Sequence, residues 1–165
     1  MWKVLGIFFL LGGVAGALHS WTKLQKERQK RLGEIIFFLQ RTIGVMEREK
    51  IKIIDYFARQ NSDVLKEIAK RLSTNTYANG QMVWEEVFKE EEKKLAFDNE
   101  TFQLIQEAGN GFFGRSREEN IRFLKKSVRA LEEQQKKRKE KEKQERKVWV
   151  PVGMLGALML VIIFV

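Results

Sequence analysis

Apolar residues recur at three-and-four spacing through most of the chain, and the spacing divides it into helices. Leu32, Ile35, Ile36, Leu39, Ile43 and Met46 make one apolar face, and Ile51, Ile54, Phe57 and Ala58 continue it after a break expected between Gly44 and Lys50. Asn61-Ser-Asp63 offers caps for a helix carrying Val64, Leu65, Ile68, Ala69 and Leu72, ended by Ser73 to Thr76. Asn79-Gly80 reads as a turn. A short helix follows with Met82, Val83, Trp84, Val87 and Phe88, ending in the charged run Lys89 to Lys94. Asp98 or Asn99 caps the next helix, with Phe102, Leu104, Ile105 and Ala108, and Gly109 to Gly114 is the sharpest loop. Ser116 and Glu119 then form a capping box, each side chain serving the other residue's amide at a helix start. Ile121, Leu124, Val128 and Leu131 are its apolar seam. No strand alternation competes, so the fold class is all-α, an antiparallel six-helix bundle.

Beyond Leu131 the seam positions turn polar. Gln135, Arg138, Glu142 and Glu145 occupy them, yet nothing breaks the helix, which predicts a solvated stalk. Thr22 to Arg31 is its counterpart before the bundle. Past each stalk the pattern becomes continuously apolar. Val148 to Val165 carries no charge, and about 18 residues of helix span roughly 27 Å, close to a bilayer's hydrocarbon thickness. Val4 to Leu18 is equally apolar and lies between Trp2 and Trp21, residues suited to the membrane interface. The expected organisation is a transmembrane helix over 2–21, a cytoplasmic helical domain with its stalks over 22–147, and a second transmembrane helix over 148–165. A cleaved signal peptide is the competing reading of the first segment, since Ala15-Gly-Ala17 resembles a cleavage site.

Charge orients the two segments. Lys23, Lys26, Arg28, Lys30 and Arg31 follow the first, and Lys136 to Lys139, Lys141, Lys143, Arg146 and Lys147 precede the second. By the positive-inside rule both place the middle domain in the cytoplasm and both termini outside. The net charge of +9 suits an anionic leaflet, making membrane lipids expected partners. Gly12 with Gly16, and Gly153 with Ala157, are small-residue pairs that would allow the spans to pack together or self-associate.

Catalytic chemistry is hard to find in the pattern. The chain has no cysteine and its only histidine, His19, lies in the first apolar segment's flank. Gly109 to Gly114 lacks the preceding strand and the lysine of a phosphate loop. No enzyme activity, cofactor, metal or small-molecule substrate is expected. The aromatics Phe37, Phe38, Trp84, Phe88, Phe112 and Phe113 read as core, and of these the loop pair Phe112 and Phe113 could dock a partner. One of that pair is expected buried and the other presented.

These residues together resemble the stage III sporulation protein AB family nearly end to end. Lys3-Val-Leu-Gly6 with Gly16 is similar to that family's first membrane segment, and Trp84 falls where the family has an Ala-Trp pair. Gly109, Gly114, Ser116, Arg117, Glu118 and Asn120 occupy its Leu-Gly, Leu-Gly, Ser-Asp-Arg-Glu and Gln positions, Ser116 standing for the aspartate and Asn120 for the glutamine. The family's Tyr-Gly and Pro-Leu after the first soluble helix have no counterpart in Thr42 to Ile51. The resemblance implies a platform subunit of a secretion-like complex in the mother-cell membrane facing the forespore. Its soluble domain would be similar to the cytoplasmic domain of type II secretion and type IV pilus platform proteins. Its partners would be the complex's other subunits and its cytoplasmic ATPase, with Phe112, Phe113, Arg117 and Glu118 as partner-binding candidates. A polyanion-binding module, gripping lipid or DNA through the basic stalks, is the alternative.

Overall fold

Helix formers dominate the middle of the chain, and the only proline is Pro151, so little interrupts a helix once it starts. The computed structural model describes the backbone of residues 2–74, 79–113 and 116–164, with side chains throughout 20–145 outside those gaps and at scattered positions beyond. The described residues contain no strand. Their helices are α1 (Trp2–Arg48), α2 (Ile53–Ala58), α3 (Asp63–Thr74), α4 (Gly80–Leu95), α5 (Asn99–Ala108) and α6 (Arg117–Phe164), with a 3-10 turn over Gly109–Gly111. The all-α class is therefore observed. The chain divides into two compact units, one made of residues 30–134 and the other of 1–29 with 135–165.

The core belongs to the first unit. Leu32, Ile36, Leu39, Ile43 and Met46 of α1 are buried with Leu65, Ile68, Ala69 and Leu72 of α3. Val83, Trp84, Val87 and Phe88 of α4, Phe102, Ile105 and Ala108 of α5, and Leu124, Val128 and Leu131 of α6 join them. Apolar spacing thus picked out most inward faces. Four expected core residues point outward instead. Phe37 is 65% exposed and Met82 57%, with Ile54 and Ala58 on the open face of α2. On α1 the adjacent Phe38 takes the inward direction, and on α2 Phe57 is buried as expected while Ile53 packs inward in place of Ile54.

Local chemistry sets the boundaries. No break occurs at Gly44: α1 runs on to Arg48, and residues 49–52 make the connection that the sequence placed slightly earlier. Asn79 is a helix cap rather than one corner of a turn, its Oδ1 accepting from the Gln81 amide at 3.0 Å. The helix it starts also absorbs the charged run, because Lys89 to Lys94 lie inside α4, which ends only at Leu95. Ala96 terminates it in the left-handed region at φ 53°, a conformation that glycine adopts more cheaply. Asp98 caps α5, accepting from the Thr101 amide at 2.8 Å. The capping box forms as expected, with the Glu119 amide donating to Ser116 Oγ at 3.3 Å and the Ser116 amide to Glu119 Oε2 at 3.4 Å.

In the second unit the stalks do not stand alone in solvent. Gln135, Arg138, Glu142 and Glu145, the positions that prolong the heptad seam, are all half-buried, while most residues between them are exposed. The N-terminal stalk answers with Trp21, Thr22, Gln25, Arg28 and Gln29, also half-buried. Gln29 Nε2 donates to Glu142 Oε1 at 3.3 Å, and Gln135 Nε2 to the Gln29 carbonyl at 3.5 Å. The expected solvated stalk is therefore a paired one. Long polar side chains there are half-buried against each other, and Arg28 Nε and Gln29 Oε1 lose their contact with water.

Most side chains of the apolar ends, including Trp2, His19 and Ala157, lie outside the described residues. Among the described residues, no helix is long and apolar enough to cross a membrane. A Cβ placed on Gly13, Gly16, Gly153 or Gly156 would meet nothing within 4 Å among the described residues.

Candidate functional site

Two places gather the residues that the sequence singles out. The first is the junction between α5 and α6. Gly109 opens the 3-10 turn with right-handed dihedrals, so space rather than a left-handed backbone requires glycine. A Cβ there would lie 2.5 Å from both Trp84 Cδ1 and Gln81 Oε1, and one on Gly111 would lie 2.6 Å from Leu124 Cδ2. The tight turn lets Trp84 reach across, and its indole N–H donates to the Ile105 carbonyl at 3.0 Å. Phe112 follows the turn into the core. Its ring meets Phe57 edge-on at 5.1 Å and Trp84 at 5.2 Å, and Phe38 closes the cluster at 6.2 Å.

Phe113 is half-buried. It packs edge-on to Phe57 at 6.4 Å and lies so close over Gly80 that a Cβ there would sit 2.3 Å from its ring. Arg117 is committed inside the unit, its Nε donating at 2.6 Å to the Met46 carbonyl in the last turn of α1. Glu118 is exposed, and Asn120 is buried with its Oδ1 lacking a partner. Gly114 and Arg115 lie outside the described residues. The junction thus joins Trp84, Gly109, Phe112, Phe113, Ser116 and Arg117 as packing and capping elements, leaving Glu118 and the outer part of Phe113 open to contact. Lys125 Nζ, 2.6 Å from Glu47 Oε1, adds a second tie between α6 and α1.

The second place lies between the stalks, whose residues the sequence named without pairing them. The stalks enclose a hollow of about 450 Å³, lined from α1 by Trp21, Thr22, Gln25 and Lys26 and from α6 by Lys136, Lys139, Glu140, Glu142 and Lys143. The signal that could have found it is the heptad register continuing through polar residues, because that register predicts which lysines flank the seam. Among the described residues, no group of three or more acidic or histidine side chains could hold a metal ion.

A protein-family model described as stage III sporulation protein AB matches residues 3–165. No curated protein and no solved structure gives a significant match.

Proposed function

Because the chain belongs to the stage III sporulation protein AB family, we propose that it is a non-catalytic platform subunit of a secretion-like complex between mother cell and forespore. Its apolar ends, Val4 to Leu18 and Val148 to Val165, are two transmembrane helices carrying an antiparallel six-helix bundle in the cytoplasm. The observation that supports this most is helix continuity. One helix, α1, contains the first apolar segment, the first stalk and a wall of the core, and α6 contains the same three parts in reverse order. A subunit built so ties a folded cytoplasmic unit to the bilayer through paired helices. It can pass the motion of a cytoplasmic ATPase to the other subunits without doing chemistry itself. Glu118 and the open part of Phe113, on the same junction as the caps of α6, are the residues offered to that partner.

Co-purification of the full chain with the sporulation ATPase from detergent-solubilised membranes tests the role. Recovery of a partner-free monomer under native expression sinks it. Reporter fusions test the topology: one after Val165 should be active outside the cytoplasm and one inserted near Asn79 inside. An exported Asn79 fusion would restore the cleaved-signal reading and remove any contact with a cytoplasmic ATPase. The alternative, DNA binding through the basic stalks, predicts an affinity that falls steeply with salt.

A further inference from the structure

The hollow between the stalks carries an excess of positive charge. Lys26, Lys136, Lys139 and Lys143 line it, and none of them has an ion-pair partner among the described residues. Two carboxylates face them, and one, Glu142, already accepts from Gln29. Four ammonium groups against two carboxylates leave the cavity net positive, so an anion entering it would be favoured.

Position narrows the anion. Trp21, the residue that closes the first apolar segment, forms one wall. On the other wall Lys143 precedes Val148 by about five residues, roughly 7.5 Å of helix. Interfacial tryptophans sit at headgroup depth, so Lys143 and Lys26, each five residues from a boundary residue, stand within reach of the lipid phosphates. Lys139 and Lys136 lie roughly 13.5 Å and 18 Å of helix before Val148. DNA fits less well. A duplex presents one charge about every 1.7 Å and asks for an extended basic track, whereas Glu140, Glu142 and Glu145 interrupt this one.

We propose that this hollow is a binding site for the headgroup of an anionic phospholipid, with Lys26 and Lys143 on the phosphate oxygens and Trp21 against the start of the acyl chains. The site would make the pairing of the stalks depend on the lipid around them. The proposal rests on the reading of the two apolar ends as membrane spans.

Native mass spectrometry of the full chain in detergent, titrated with phosphatidylglycerol or with phosphatidylcholine, reads the site directly. Phosphatidylglycerol should be retained in preference. Each lysine near an anionic surface contributes about fivefold, so Lys26→Gln with Lys143→Gln should weaken retention about 25-fold. Lys66→Gln with Lys126→Gln, the same charge change outside the hollow, should leave it unaltered. Equal retention of the two lipids, or equal loss in both variants, overturns the proposal. So does displacement of the lipid by millimolar inorganic phosphate or by a short DNA duplex, which would assign the lysines to a soluble anion or to nucleic acid. Alkaline carbonate extraction of membranes separates the two readings. A chain that washes off loses its spans, whereas one that stays but shows no lipid preference loses only the headgroup site.

Discussion

The helix α6 uses the same three-and-four spacing twice with opposite chemistry. In the unit of residues 30–134 the positions hold Leu124, Val128 and Leu131, all buried. In the other unit they hold Gln135, Arg138, Glu142 and Glu145, all half-buried. Burying one such aliphatic side chain contributes about 1.5–3 kcal/mol, whereas a typical intramolecular hydrogen bond nets about 0.5–1.5 kcal/mol. The polar seam also leaves Arg28 Nε and Gln29 Oε1 buried without partners, which counts against it. Spacing therefore decides where the helices meet, and residue chemistry decides how firmly. The apolar seam holds a permanent core. The polar one is held by weaker contacts and should open at smaller cost.

The strongest way to break this comparison is to weaken the firm side. Trp84 is 1% exposed, packs against the tilted Phe88 ring at 4.6 Å and is anchored by its bond to Ile105. Trp84→Ala should cost about 3–5 kcal/mol, read from denaturant melts of the full chain in detergent. Phe112→Ala should fall in the same range, since that ring is buried among four aromatics. Phe113→Ala should cost clearly less, because part of its ring already faces water. Equal losses for both phenylalanines would make the junction purely structural and remove Phe113 as a contact residue.

Next in size is Gly109→Ala, expected to destabilise by about 1–3 kcal/mol, because the new methyl meets both the Trp84 ring and the Gln81 amide. The same melts check it, and an unchanged midpoint would show that Trp84 can move aside. This position also marks how far the sequence could be read. The loop, its glycines and the capped helix after it were all legible from residue type and spacing. What glycine was needed for was not, since a backbone requirement and a spatial one look alike in sequence. Only the fold brings Trp84 and Leu124 against the turn. The outward Phe37 and Met82 have a related cause: they neighbour true core residues, and hydropathy alone cannot choose between adjacent side chains on a helix. Arg117 bonding to Met46 lies 71 positions away in the chain, beyond any local signal.

Converting the soft seam to the firm kind sharpens the comparison from the other side. Gln135→Leu with Glu142→Leu should stabilise the paired stalks by up to about 2 kcal/mol, because polar groups in a seam can often be replaced by apolar ones without loss. Hydrogen exchange of amides over residues 22–29 and 135–145 would report it as slower opening, with amides of residues 120–131 unchanged. Faster exchange would mean that the two polar contacts of Gln29 hold the stalks more tightly than their desolvation costs.

The smallest effect belongs to a charged clamp on the surface of the packed unit, between α3 and α4. The Arg71 guanidinium donates through Nη2 to Glu90 Oε2 at 2.8 Å and through Nη1 to Glu90 Oε1 at 3.0 Å, while its Nε reaches Glu67 Oε1 at 2.9 Å. These hydrogen bonds from Arg71 hold the Glu90 carboxyl below its ordinary value of 4.5, with partial desolvation opposing them, and the same pairing moves Arg71 upward. A carboxyl whose folded value lies below its unfolded one gives up its proton more readily when folded. The clamp's contribution is therefore complete above pH 4.5 and is lost as pH falls through the lower folded value. The side chains are 32% and 58% exposed, so solvent and salt screen most of the interaction. Glu90→Gln should barely alter the melting midpoint at pH 7 but should remove part of the wild type's loss of stability below pH 4.5. Added salt at neutral pH should narrow the difference between the two proteins. Parallel acid profiles for the wild type and the variant would show that the clamp is a surface ornament, and that the packed unit owes its firmness to the apolar seam alone.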